Sequence, residues 1–370
     1  MLASPWLSPF AAGTKRLIGV LPGEGVGPEV VGGAMRVLRA VESAVPEVQF
    51  EVREGGPIGD ISIQQAGKPL SPSVVNFCRE VFAAGGAILA GAGGDRFVYD
   101  CRREFGLYCK LNPLKPSRVP LKANRLRSEV LEGVDVLVVR ENLGGVYQGE
   151  WSDSAPQGQL RSAVQRFEYN EQQVRDIVER AAGLARERRG QMTVVVKPNG
   201  IPAISQLWLD VAGEIAARTG VQLRALEIDY ATFHLLQDPQ QFDVIVAPNL
   251  FGDILSDVGG VLLGSRGLCF GASYSHSGAA IYQTNHGAAR DLVGSDRANP
   301  VGQIHSLAML LRESFGLARE AQLIETAVEH VWKSGIRTAD LAEPGARLVG
   351  TREMTERIIA AIGELTEGAS

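Results

Sequence analysis

The stretch FDVIVAPNLFGDILSD, residues 242–257, joins two periodicities. Its first half, FDVIVAPN (242–249), is apolar through its middle, as a strand buried on both faces should be. Its second half, NLFGDILSD (249–257), sets Asp253 and Asp257 four residues apart in mild, apolar surroundings. A helix there puts both carboxylates on one face, where they repel, so something positive should sit opposite. A buried strand running into a helix is the building unit of an α/β fold.

The same unit recurs outward from this stretch. RLIGVL (16–21) reads as a strand, PGEGVGPE (22–29) as a glycine loop, and Val30, Val31, Met35, Val37, Leu38 and Val41 as a helical stripe. VQFEVREGG (48–56), AILAGAGG (87–94), VDVLVVRE (134–141) and QMTVVVKPN (191–199) are further strand runs. Helical patterns lie in LSPSVVNFCREVFAAGG and at 170–190, 205–220 and 230–241. From NPVGQIHSLAMLLRESFG onward the chain reads as mostly helical, and no internal repeat is visible.

Composition narrows the function classes. The 370 residues exceed one simple core and imply two domains or lobes. With 45% hydrophobic and 21% charged residues, a soluble globular protein is expected. Net charge is −5, with 37 basic and 42 acidic side chains intermixed, so no nucleic-acid stripe or polybasic membrane patch is present. No apolar run approaches the roughly 18 residues of a membrane span. Cys78, Cys101, Cys109 and Cys269 form no CxxC pair, and they read as free thiols of a reducing, cytoplasmic compartment. MLASPWLSPFAAG lacks a basic start and a sustained apolar centre, so it reads as an extension rather than a cleaved signal.

Two features carry candidate chemistry. Gly23-x-Gly25-x-Gly27 could cradle a phosphate at a helix start, or form a plain tight turn; it matches neither G-x-G-x-x-G nor a P-loop. Asp253 and Asp257, with Asp229 in LEIDYATF as a third carboxylate, would suit a hard cation such as Mg²⁺ or Mn²⁺, or be solvated surface acids.

LPGEGVGPEVV, VVRENLGGVYQGE, NLFGDILSD and HGAARDLVGSDRANP, in this order and at these separations, resemble the metal-dependent β-decarboxylating dehydrogenases. That family includes the isocitrate, 3-isopropylmalate, homoisocitrate, tartrate and D-malate dehydrogenases. The resemblance runs from about Leu17 to about Gly363. It implies a two-lobed α/β fold of mostly parallel sheet flanked by helices, distinct from a Rossmann fold. One lobe would be 1–107 plus 265–370, and the other, carrying the metal site, catalytic pair and dimer interface, 108–264. It also implies a homodimer with shared active sites.

Carried over residue by residue, the resemblance places the metal on Asp253, Asp257 and, from the partner subunit, Asp229. The cation would chelate the substrate's hydroxyl and neighbouring carboxylate. Lys197 and Tyr147 fall on the proton-moving pair, and a lysine buried near a cation should have a lowered pKa. Arg102 and Arg140 match two of three substrate arginines. His286, Gly287, Asp291 and Asn299 fall in the adenosine loop, and Gly23 and Gly25 in a second cofactor loop. Asp291 stands where a carboxylate meets the ribose hydroxyls and repels a 2′-phosphate, favouring NAD over NADP, although Arg290 adjoins it.

The departures cluster around the site. Asn112 stands at the third arginine, so a leaving carboxylate is held by Lys110, Lys115 or Arg118 or more weakly. Glu24 replaces an aspartate, Val196 an acidic residue, and Gln283 a glutamate in the loop GSRGLCFGASYSHSGAAIYQTNHG; Pro198 follows the lysine, and VGG follows NLFGDILSD. Arg96, Val98 and Tyr99 are the candidate readers of the substrate's 3-substituent. Arg96 hints at an anionic tail, whereas Tyr99 and Phe97 could close over a small group. The expectation is NAD- and metal-dependent oxidation, with decarboxylation, of a 3-isopropylmalate-like 2-hydroxy acid. Alternatives are tartrate or D-malate, a malate with an anionic substituent (isocitrate, homoisocitrate, phosphonomethylmalate), oxidation without loss of CO₂, or a non-catalytic regulatory subunit.

Overall fold

The computed structural model describes residues 16–117, 119, 123–154 and 160–368. MLASPWLSPFAAG and Arg118 lie outside the described residues. The chain runs through β1 (Arg16–Leu21), α1 (Gly27–Ala44), β2 (Phe50–Glu54), α2 (Gly59–Ala66), α3 (Pro72–Ala83), β3 (Ala87–Ala90) and α4 (Phe97–Glu104). Next come β4 (Cys109–Leu114), α5 (Ser128–Leu131), β5 (Val136–Glu141), the hairpin β6 (Glu150–Ser154) and β7 (Ser162–Arg166), and α6 (Glu171–Arg186). β8 (Gln191–Val196), α7 (Pro202–Thr219), β9 (Gln222–Glu227), α8 (Ile228–Gln237), β10 (Val244–Ala247) and α9 (Asn249–Leu263) follow. β11 (Phe270–Tyr274), β12 (Ala280–Thr284), α10 (Val301–Phe315), α11 (Ala318–Lys333) and α12 (Thr351–Glu367) close the described chain.

Ten strands form one sheet in the order β2-β1-β3-β12-β11-β4-β5-β10-β8-β9. Both flanks are parallel, and the centre is antiparallel where β11 meets β12 and β4, and β4 meets β5. The stretch GSRGLCFGASYSHSGAAIYQTNHG, read from sequence as a loop, thus supplies two central strands. Its small, polar alternation hides them, because β11 and β12 are buried by neighbours rather than by their own apolar side chains. β4 and β9 also went unread, since CKLNPL and QLRALE are broken by polar side chains.

Side-chain alternation assigns the two faces. Cys109 and Leu111 of β4, Leu137 and Val139 of β5, and Ala272 and Tyr274 of β11 share one large core with α1, α6, α7, α10, α11 and α12. The opposite face is covered by two separate clusters. α3 and α4 pack with Leu17, Leu21, Ile88, Ala90 and Ile281 at one end. α8 and α9 pack with Leu114, Val136, Val138 and Ile245 at the other. Between these clusters lie the alternate residues of the central strands, and they are polar: Lys110, Asn112, Arg140 and Ser273. This gap in the apolar cover positions the site.

Trp208 of α7 is the largest fully buried side chain of the main core and meets Tyr169 edge-on at 5.5 Å. Trp208→Ala is expected to cost about 3–5 kcal/mol of stability. A denaturant-unfolding midpoint lowered at unchanged slope would register it.

Candidate active site

Arg140 is the penultimate residue of β5 and is 1% exposed. Its Nε and Nη2 donate to Asn249 Oδ1 at 3.1 and 2.8 Å, and its Nη1 to Asp253 Oδ1. Asn249 opens α9 and Asp253 lies one turn on, so β5 and α9 are joined through these bonds. The close approach requires Gly252, where a Cβ would lie 2.7 Å from Arg140 Cβ and Cγ. The other oxygen of Asp253 accepts the Tyr147 hydroxyl at 2.8 Å. Burial and the Asp253 carboxylate both push the Tyr147 phenol upward, so it holds its proton.

Asp257, the next carboxylate along α9, faces Arg266 at 3.2 Å. Each member of the aspartate pair therefore has the positive partner that their repulsion demanded. Both offer hard oxygen donors to a divalent cation from one helix face. Among the described residues, one chain holds no group of three metal-ligating side chains close enough to complete such a site.

α4 supplies the opposite wall. Arg102 is 3% exposed, and its Nε and Nη1 are buried without a hydrogen-bond partner. Burial, with the neighbouring Arg140 charge, lowers its pKa to about 9. One turn earlier, Tyr99 stacks obliquely on Tyr147 at 5.3 Å, and the Arg102 guanidinium lies 5.4 Å from the Tyr99 ring. Arg96 donates to the Tyr147 carbonyl at 3.2 Å and lies over the rings of Tyr99 and Trp151. Val98 is half-buried, packs on the α3–α4 core, and lies one turn before Arg102 on the same face of α4. Asn112 is fully buried, its Nδ2 donating to Phe270 O at 3.4 Å and its Oδ1 unpartnered.

Lys197 and Asp229 form a second cluster at the β8–β9 end of the sheet. Lys197 Nζ lies 2.7 Å from both Asp229 Oδ1 and Glu227 Oε2. In the single chain Lys197 is 33% exposed, and Asp229 and Glu227 raise its pKa. Glu227 went unread, although it sits two residues before Asp229 and opposite Val196 in register.

The two cofactor-loop candidates meet. Val26 N donates to Ala288 O at 2.8 Å, and a Cβ on Gly25, at φ +61°, would strike that oxygen at 1.9 Å. Glu24, buried at 1% exposure, accepts from Asp60 N at 2.8 Å and from Arg290 Nη2 at 2.9 Å. Arg290 also pairs with Asp60, and Asp291 beside it is exposed. His286 is half-buried, its Nδ1 2.9 Å from Gly287 O, and burial lowers its pKa. Asn299 donates to Asp340 through Nδ2 at 3.0 Å and accepts from Val301 N, at the start of α10, through Oδ1.

Asn249 was in the quoted motif but had no assigned role; its signal was position, as the residue joining strand to helix. Trp151 and Tyr169 gave no sequence signal. Tyr169 hydroxyl accepts from Asn249 N at 2.8 Å and hydrogen-bonds Glu141, linking the second buried charge of β5 to α9.

Known proteins are similar to this chain in sequence and in fold. The chain is 39% identical over 363 residues to the 3-isopropylmalate dehydrogenase of Geobacillus kaustophilus, covering 94% of this chain and 96% of that one. It is 36% identical over 367 residues to the 3-isopropylmalate dehydrogenase of Aquifex aeolicus, covering 95% and 99%. The fold superposes on an isocitrate dehydrogenase from Methylococcus capsulatus with TM-score 0.83, 29% identity, and 94% and 99% coverage. A β-decarboxylating dehydrogenase from Thermococcus kodakarensis gives TM-score 0.73, 31% identity, and 95% and 97% coverage. By class the protein is an oxidoreductase acting on CH–OH groups, of the β-decarboxylating dehydrogenase kind. Matching it over residues 17–358, the chain belongs to the isocitrate/isopropylmalate dehydrogenase family.

Beneath the site, burial raises the Glu141 pKa from 4.5 to about 7, against the backbone N–H groups of Leu143 and Gly144 that lower it. A raised carboxyl pKa means the folded state binds that proton more tightly than the unfolded chain. The resulting stability is full below the unfolded value and is lost as pH rises through about 7. Between about pH 5 and pH 8, Glu141→Gln should therefore lose less unfolding free energy than the parent. Parallel denaturation curves would show it, and identical pH slopes would reject it.

Proposed function

We propose that the protein oxidises a 3-substituted malate of the 3-isopropylmalate type, using NAD and Mg²⁺ or Mn²⁺, with loss of the 3-carboxylate as CO₂. The observation that carries this reading is the buried Arg102 guanidinium, with Nε and Nη1 unpartnered beside Arg140. Buried guanidinium groups need an anion, and a carboxylate fits their fork. Arg102 and Arg140 bind and orient the substrate carboxylate that leaves.

Asp253 and Asp257, with Asp229 of the partner subunit, would hold the divalent cation, whose chemistry is to polarise the substrate hydroxyl and offset negative charge. Lys197, presented from the partner subunit, accepts the hydroxyl proton. Tyr147 keeps its proton and returns it to the substrate carbon after decarboxylation. His286 and Gly287 border the adenosine, with Gly23 and Gly25 below them. Because Arg290 is committed to Glu24 and Asp60, Asp291 is left to the ribose hydroxyls, which supports NAD over NADP.

A homodimer with shared active sites is supported by apolar side chains that α8 and α9 leave exposed: Tyr230, Phe233, Ile254 and Val261. Residues 108–264 would form the lobe that dimerises, and residues 1–107 plus 265–370 the lobe that holds the cofactor. Four buried free thiols, and no helix among the described residues long and apolar enough to cross a membrane, support a cytoplasmic setting. The aromatic wall of Tyr99, Tyr147 and Trp151 supports a compact apolar 3-substituent. Arg96, at its edge, supports the second reading, a malate with an anionic substituent.

Reduced nicotinamide formation is the test, with Mn²⁺, NAD or NADP, and malates bearing isopropyl, methyl, hydroxyl, carboxyl, carboxymethyl or phosphonomethyl groups at carbon 3, plus D-malate. The isopropyl compound with NAD is expected to lead. No turnover by any compound, with metal and NAD still bound, would replace this reading with the regulatory-subunit one. Lys197→Ala should lower turnover by about 10²–10⁴-fold at an unchanged melting temperature. Undiminished turnover would remove Lys197 from the reaction.

A further inference from the structure

Three basic side chains are buried on the split face of the sheet: Arg102 at 3%, Lys110 at 6% and Arg140 at 1% exposure. Lys110 faces Arg140 across the β4–β5 ladder and Ser273 across the β4–β11 ladder. Its neighbours Cys109 and Leu111 lie in the main core, so alternation turns the lysine toward the site. Arg140 is satisfied by Asn249 and Asp253, and the buried Arg102 nitrogens are not. No ion pair or side-chain hydrogen bond holds the Lys110 ammonium among the described residues.

The balance of charge is uneven. Asp253 is the acidic side chain paired within the cluster, and it already serves Arg140 and Tyr147. Asp257 is drawn off by Arg266. Asn112 occupies the same strand face two residues on and, being neutral, cannot meet an anion with charge. Lys115 cannot supply the charge, since its ammonium pairs with Asp135 at 2.8 Å. Buried cations without counter-charges are costly, and such a cluster persists when a ligand brings the missing anion.

We propose that Lys110 is a substrate-binding residue: its ammonium holds, with Arg102 and Arg140, the second carboxylate of a 2-hydroxy dicarboxylate. Burial, then the charges of Arg102 and Arg140, hold the Lys110 pKa well below the usual lysine range, and an incoming carboxylate would restore its proton. An ammonium is a compact point charge with three rotatable donors, unlike a planar fork. It fixes the presence of a carboxylate without fixing the carboxylate plane. The site therefore discriminates dicarboxylates from monocarboxylates and tolerates variation in how the second carboxylate is turned.

This inference rests on the proposed hydroxy-acid reading, and one experiment separates the two. Calorimetry and thermal unfolding with Mn²⁺ and NADH, which cannot accept a hydride, would compare D-malate with D-lactate, which lacks the second carboxylate, on the parent, Lys110→Met and Lys110→Arg. Lys110→Met should bind D-malate about 10- to 100-fold more weakly and D-lactate unchanged. Without ligand it should melt at or above the parent temperature, because a buried polar group without a partner has gone; a lysine with a merely structural role would lower it. Lys110→Arg should keep D-malate binding. Unchanged D-malate affinity in Lys110→Met, or equal loss of both ligands, would overturn the inference and leave the dehydrogenase reading standing. A parent protein that binds neither acid would overturn the inference, and silence across the turnover panel would overturn the dehydrogenase reading.

Discussion

The site depends on one requirement: a guanidinium buried at the end of a central strand must be satisfied. Arg140 meets it with Asn249 and Asp253. Those bonds bring the first turn of α9 against β5, and the contact leaves room only for glycine at position 252. They also turn Asp253 so that one oxygen is held by Arg140 while the other receives Tyr147. The loop between β5 and the hairpin is fixed by the same constraint, because Asn249 Nδ2 donates to Gly144 O at 2.9 Å. A substitution at Arg140 would remove one charge and release four elements of the site together.

The hydrophobic pattern explains what could be read from the chain and what could not. β1, β3, β5, β8 and β10 are apolar on both faces, and their runs stood out. β4 and β11 line the gap in the apolar cover, so one face of each is small or polar, and the alternation resembles loop. The same polarity that obscured these strands makes them part of the site.

The surroundings of Lys197 are the part of the candidate site that the sequence conveys least. In sequence, Lys197 follows a buried strand, and burial was the expected environment. In the fold, β8 is next to the sheet edge, and the strand end opens onto Glu227 and Asp229. Carboxylates at that spacing raise the lysine pKa, so a neutral lysine needs a different set of neighbours from those one chain supplies. The exposed apolar faces of α8 and α9 lie on the cluster that carries Asp229, so whatever covers them also changes the surroundings of Lys197.

The contact between the two candidate cofactor loops has a consequence for entropy. Gly25 lies against Ala288, Val26 donates to Ala288 O, and Arg290 ties the loop to Glu24 and Asp60. The backbone that would frame a nucleotide is thus ordered by folding itself. A cofactor arriving there need not immobilise that loop, so less of its contact energy is lost to restricting chain motion. The longer glutamate at position 24 gives this protein a latch built from its own carboxylate, and the frame stands before the guest arrives.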